Sequence, residues 1–143
     1  MSAGPPARTL RIAGYAALFD FADGARDTIR KGAFARTIAE QPGPLPLYWQ
    51  HKPEQRIGTV ERIAEDERGL RVIARIDDAD SYAMKLLQRR EVDGLSFGYR
   101  ARGYRRTPDT GFGAGRVLED IELLEISLVT HPLQPGARVH MVQ

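Results

Sequence analysis

Apolar residues alternate with polar or small ones along most of this chain, and the alternation has the two-residue period of half-buried β-strands. Leu10, Ile12, Gly14, Ala16 and Leu18 define the first run and predict a strand over 9–19, bent at Gly14. Further runs predict strands over 45–50, 57–63, 70–76, 94–104 and 139–142. The stretch 116–130 is also extended, but its apolar positions change phase, which predicts a bulge or break near 122–124. Two segments have helical spacing instead. One is 33–40, where Phe34, Ile38 and the alanines recur and Gln41-Pro42-Gly43-Pro44 ends the run. The other is 79–90, with Ala83, Met84, Leu86 and Leu87 apolar and Asp77, Asp78 and Asp80 placed to suit its cap and macrodipole. Polar or glycine-rich turns separate these elements at 20–27, with Asp23-Gly24 at the tip, at 65–69 and at 107–115. Residues 1–8, small and proline-rich, predict a flexible arm, leaving 9–143 as one domain. Six or seven strands with two helices predict a mostly β, α+β domain: a largely antiparallel barrel or sandwich with helical insertions.

Composition narrows the possible chemistry. The chain has 143 residues, 42% of them hydrophobic, enough for one core. A net charge of +2 from 21 basic and 19 acidic residues argues against a dedicated nucleic-acid partner. There is no cysteine, which excludes disulfides, a thiolate nucleophile and thiolate metal sites. No apolar run approaches the roughly 20 residues needed to span a membrane, and the start lacks the pattern of a signal peptide. A cytoplasmic protein is therefore expected. Three scattered histidines make a poor ligand set, so neither metal nor cofactor is expected.

The chemistry centres on Asp93-Gly94-Leu95-Ser96-Phe97-Gly98-Tyr99. Alternation puts Ser96 and Gly98 on one face and the apolar Leu95, Phe97 and Tyr99 on the other. A serine beside a glycine on a strand is a place where another backbone can approach closely. A serine hydroxyl becomes a nucleophile only with a base in reach and an orienter for that base. The candidate bases are His51, at the end of the strand 45–50, His131 and His140. A single serine or histidine is more often an ordinary surface or hydrogen-bonded residue, so spacing alone does not make Ser96 and His51 a pair. Gly94-Leu95-Ser96-Phe97-Gly98 also fits the G-x-S-x-G elbow, but an elbow needs strand, turn and helix, and here a helix precedes and a strand continues. A hydrolase order of Ser96, Asp120 and His131 or His140 stays formally open.

Three blocks together resemble a known family, the prohead proteases of HK97-like tailed phages and of the related gene transfer agents. They are Leu47-Tyr48-Trp49-Gln50-His51 followed by Ile57-Gly58, then Gly94-Leu95-Ser96-Phe97-Gly98-Tyr99, and then Leu124-Glu125-Ile126-Ser127-Leu128-Val129-Thr130 with Pro132 after it. Gly32-Ala33-Phe34 and Gly69-Leu70 fit the same order, and the resemblance runs from Gly14 to Val139. It implies a closed antiparallel β-barrel surrounded by helices, like the herpesvirus assemblins. It implies a serine endopeptidase inside the assembling procapsid, in the bacterial cytoplasm. The substrate would be scaffold protein or the scaffold-like N-terminal segment of the major capsid protein, with self-cleavage and a homodimer as further expectations. Carried over, Ser96 is the nucleophile and His51 the general base. Glu125 is the orienter, with His131 as its rival because assemblins use a second histidine; His140 has no assigned role. Gly98 and an arginine, Arg100 or Arg102, are the oxyanion candidates. A protease must hold an extended backbone, so the substrate is expected as an added strand on an exposed sheet edge. The loop 107–115 is then either a flap or a tolerant insertion. The competing readings are a catalytically inactive scaffold-binding module of a capsid and, more distantly, an esterase of small molecules.

Overall fold

One strand, near the end of the chain, carries neighbours along both of its edges and positions the rest. The computed structural model describes residues 9–23, 26–41, 43–109, 111 and 113–143. Among them the elements run β1 (Leu10–Leu18), β2 (Asp27–Ile29), α1 (Ala35–Glu40), β3 (Pro46–Trp49), β4 (Lys52–Glu65), β5 (Gly69–Ile76), α2 (Tyr82–Gln88), β6 (Gly94–Thr107), β7 (Gly115–Val129) and β8 (Val139–Val142). The expected arm 1–8, the turn residue Gly24, the helix-ending Pro42 and residues 110 and 112 of the glycine-rich loop lie outside the described residues.

The organising strand is β7. Along one edge it pairs antiparallel with β6, from Gly94 opposite Val129 to Thr107 opposite Gly115. The other edge is shared. β2 pairs parallel with its first residues, Asp27 opposite Arg116, and β3 pairs parallel near its end, Leu47 opposite Ile126. The helical segment fills the gap between them. Ile121 donates its N–H to the Ala33 carbonyl at 2.9 Å, and Leu123 donates to Thr37 Oγ1 at 3.1 Å. That bond explains a buried threonine inside a helix. The path continues β3–β4–β5–β1–β8 with antiparallel pairing throughout.

The mostly β architecture with few helices agrees with the reading of the sequence, but three details differ. The pairing is mixed, because β2 and β3 run parallel to β7. The three-residue β2 is too short to show an alternation. The ladders also leave the strand path open, with only a seam outside them between β6 and the segment before β8. An isolated bridge, Gly94 to Arg138, joins the start of β6 to the segment before β8, flanked by Leu95 N–H to Ala137 O at 2.9 Å and Val139 N–H to Asp93 O at 2.8 Å. Gly14 is required at this seam, since a Cβ there would stand 2.3 Å from the Arg138 carbonyl oxygen. Finally, β4 begins at Lys52, before the predicted start at 57. Its first residues are polar and contain Pro53, which a ladder tolerates only at an irregularity. The register jumps there from Trp49–Lys52 to Tyr48–Arg56.

Both helices are shorter than their periodicity predicts. The turn before α1 is tied down by Glu65, which accepts from the N–H groups of Gly32 and Phe34. At α2 the cap is Ser81, whose Oγ accepts from Met84 N–H at 3.3 Å, and not one of the aspartates. The phase change expected in β7 is a bulge. Gly98 faces Glu125 and Tyr99 faces Leu123, so Leu124 is left unmatched and exposed. Leu47, Leu95, Ile126 and Leu128 pack on the core side of these strands, each 1% exposed or less. Burial of each such side chain stabilises the fold by about 1.5–3 kcal/mol. Their alternation turns the intervening residues to the opposite face.

Candidate active site

On that opposite face β7 presents Glu125 and Ser127, two residues apart and so on the same side. Across the antiparallel ladder β6 brings Gly98 opposite Glu125 and Ser96 opposite Ser127. Directly opposed residues in such a ladder lie about 4.5–5.5 Å apart at Cα and share a face. On the far side, β3 places Tyr48 beside Ser127. The two-residue turn between β3 and β4, Gln50 and His51, folds back over the same face.

The contacts at the turn are specific. His51 Nδ1 lies 2.5 Å from Glu125 Oε1, and the Ser127 hydroxyl donates to the other carboxylate oxygen, Oε2, at 2.6 Å. Ser127 Oγ also accepts the backbone N–H of His51 at 3.1 Å. One hydroxyl thus ties the carboxylate to the turn that carries the imidazole. Glu125 is 8% exposed and Ser127 is fully buried, so the contact is shielded on the carboxylate side while His51 stays half exposed. The hydrogen bond His51 donates to Glu125 raises the His51 pKa above its ordinary value, with burial opposing and the negative charge reinforcing. A neutral imidazole that gives Nδ1–H to a carboxylate keeps its Nε2 lone pair for a proton. Among the described residues Nε2 has no partner.

Ser96 is 4% exposed, and its hydroxyl makes no hydrogen bond among the described residues. No fully buried side-chain oxygen or nitrogen in that set lacks a partner, so the Ser96 oxygen is the part that reaches solvent. The structure therefore gathers Ser96, His51 and Glu125 around Ser127. It does not bring in the other histidines. His131 is exposed beyond the end of β7 and makes no hydrogen bond among the described residues. The His140 ring packs on Tyr15 at 6.0 Å between centroids. The Ser96–Asp120–histidine order fails on geometry: Asp120 faces Gly103, well along the ladder, and pairs with Arg36 at 3.2 Å. Of the arginines, Arg102 is engaged by Glu122 and Glu40, whereas Arg100 is exposed and has no ion pair among the described residues.

Gly98 has a clear steric role. A Cβ on it would stand 2.6 Å from Glu125 Oε1 and 2.9 Å from Cγ, so only glycine leaves room for the carboxylate. Its amide is turned to β7, because Leu95 N–H points the other way, to Ala137, and strand amides alternate. Gly98→Ala is expected to push the carboxylate off His51 and so to return the His51 titration, raised by that contact, towards the ordinary histidine value. Nuclear magnetic resonance of labelled histidine in the purified, folded variant would measure it.

Sequence reasoning missed Ser127 and Gln50 as parts of the site. Ser127 carried a signal, since it lies two residues from Glu125 on a strand and so shares its face. Among the described residues no group of three or more His, Asp or Glu side chains is arranged to hold a metal, and no helix is long and apolar enough to cross a membrane.

The fold places the chain in a class. It matches the varicella-zoster virus protease with a TM-score of 0.61 at 16% identity, over 95% of this chain and 64% of that one. It matches a KSHV protease, solved in complex with a hexapeptide phosphonate inhibitor, with a TM-score of 0.59 at 15% identity, over 95% of this chain and 65% of that one. These likenesses establish a herpesvirus-protease fold. Sequence is more specific. The family model of the caudovirus prohead serine protease matches residues 3–143. The prohead protease of Enterobacteria phage HK97 is 32% identical over 131 residues, 88% of this chain. The chain belongs to the caudovirus prohead serine protease family. It spans 57% of the length of that HK97 relative.

Proposed function

We propose that this chain is a serine endopeptidase of capsid maturation, with Ser96 as nucleophile, His51 as general base and Glu125 as orienter. The observation that carries the reading is the 2.5 Å contact of His51 Nδ1 with Glu125, made over the strand pair that holds Ser96 opposite Ser127. His51 Nε2 takes the proton of Ser96 as the hydroxyl attacks a scissile carbonyl. The amine leaves with that proton, and water, activated by the same imidazole, releases the acyl group. Glu125 holds the tautomer and stabilises the imidazolium.

The oxyanion is assigned to Arg100 rather than to the Gly98 amide, which faces the β7 ladder. Arg100 lies four residues from Ser96 on the same face of β6, and its long side chain would meet a substrate carbonyl held between the two positions. The substrate is read as a strand added to the edge of β6, which has no ladder partner on that side among the described residues beyond the Gly94 bridge. Family membership supports scaffold protein or the N-terminal segment of the major capsid protein as that strand, cut inside the procapsid within the host bacterium, with self-cleavage of the chain. The bonds across the Gly94–Arg138 seam support a barrel closed at that point.

The test is covalent labelling. A peptidyl phosphonate, which reacts only with an activated serine, is incubated with assembled particles containing the chain, and the peptides are mapped by mass. One adduct on Ser96 is expected. An unlabelled chain, or an adduct on another serine, would overturn the assignment.

A further inference from the structure

The turn that carries His51 is in an unfavourable conformation. It links β3 to β4 in two residues, with Trp49 opposite Lys52. Both residues have positive φ, 53° at Gln50 and 60° at His51. Turns of this kind favour asparagine, aspartate or glycine at both positions, and neither is present here. Such a conformation persists only where its surroundings over-determine it.

Four hydrogen bonds do so. Two come from the backbone: Gln50 N–H to the Leu128 carbonyl at 3.0 Å and His51 N–H to Ser127 Oγ at 3.1 Å. The other two use the Gln50 amide. Its Nε2 donates to Thr130 Oγ1 at 2.5 Å, and its Oε1 accepts the Thr130 N–H at 3.1 Å. The amide thus grips both the side chain and the backbone of one residue at the end of β7. Thr130 is exposed, so these bonds contribute little to overall stability. They act on direction. The imidazole is held at one nitrogen by Glu125 and is otherwise half exposed, so its aim depends on where the turn sits.

We propose that Gln50 is a positioning residue, whose two-point bond to Thr130 holds the turn and thereby the imidazole of His51. The proposal rests on the protease reading for its catalytic consequence but not for its structural one. Asparagine at position 50 separates the two possible roles of the residue. It suits the left-handed conformation better than glutamine but is one methylene too short for the grip.

Three variants, Gln50→Asn, Thr130→Val and the double, are compared with wild type by peptide cleavage, thermal melting and a nuclear magnetic resonance titration of isotopically labelled histidine. For Gln50→Asn the expected result is a 10- to 100-fold fall in kcat with KM unchanged, at a melting temperature close to wild type. Thr130→Val is expected to show part of that loss, and the double variant no more than Gln50→Asn alone, because both act on one contact. The titration is expected to show the raised His51 value in wild type and a return towards the ordinary histidine value in Gln50→Asn. An unchanged His51 titration in Gln50→Asn would overturn the proposal whatever the activity of the wild type. So would wild-type kcat in Gln50→Asn, or losses that add in the double variant. Failure of the protease reading looks different: wild type would cleave nothing and take no phosphonate on Ser96, while the titration still reports on the grip.

Discussion

On the proposed reading, the wild-type chain co-expressed with the major capsid protein of its particle is expected to remove a defined N-terminal segment from that protein, and Ser96→Ala to remove none. Intact-mass spectrometry of the assembled shells distinguishes the two. The size of the effect follows from the geometry. In the proposed mechanism, alanine takes away the atom that would form the acyl-enzyme and leaves His51 and Glu125 with nothing to activate. In enzymes of this mechanism, loss of the nucleophile lowers kcat by about a millionfold. The change is nearly neutral for the fold, because the Ser96 hydroxyl has no hydrogen bond among the described residues to lose. The same cut by both chains would assign the cleavage to another enzyme. Shells that assemble uncut with both would make the chain a capsid component without this activity.

Glu125→Gln is expected to produce the second largest loss, about 10⁴-fold in kcat. The amide keeps the shape of the side chain and can still bond Ser127 and His51. It lacks the charge, and its two ends are no longer equivalent, so the tautomer with a proton on Nδ1 is not enforced. The pH profile offers an independent check. In the proposed mechanism activity requires neutral His51, so the acidic limb of kcat/KM is expected to follow its titration. In the wild type the hydrogen bond that His51 donates to Glu125, opposed by burial and aided by the carboxylate's charge, is expected to place that limb above the ordinary histidine value. In the variant the limb moves down towards about 6.5, although the plateau is far lower. Stability carries the opposite dependence. A folded-state value above the unfolded one means the native state binds the proton more tightly. The stabilisation is fully present below the unfolded value and is lost as pH rises through the folded value. Denaturant titrations across that window are expected to show wild type losing its advantage over Glu125→Gln as the medium becomes more alkaline.

Much of the fold was legible because strands bury one face. The alternation around Ser96 placed it opposite Leu95 and Phe97, and the broken phase of the later run marked the bulge at Leu124. Glu125 was legible only through the family block, since nothing in a local pattern says which carboxylate will meet a histidine 74 residues earlier. What stayed hidden depends on register between distant segments. Thr37 is an odd residue for a helix until Leu123 is seen donating to it. Pro53 argues against a strand until the register jump in β4 accommodates it. Gln50 carries no signal in its neighbours, because its partner, Thr130, lies 80 residues away. Ser127 sat in plain view two residues from Glu125, yet its bond to the His51 backbone needed the parallel pairing of β3 with β7, which alternation cannot reveal.

That parallel pairing has a consequence for when the chain can act. β3 and β6 never touch as a ladder; they meet only through β7, which is made after both. A nascent chain that has already exposed His51 and Ser96 therefore has no frame to bring them together. Both are aligned only when β7 is paired with β3 and β6, and Glu125 comes with that strand. Closing contacts so distant in sequence is slow. On the proposed reading, a fragment truncated before residue 115 keeps both Ser96 and His51 without the strand that aligns them, and is expected to cut none of its neighbours in a crowded assembly.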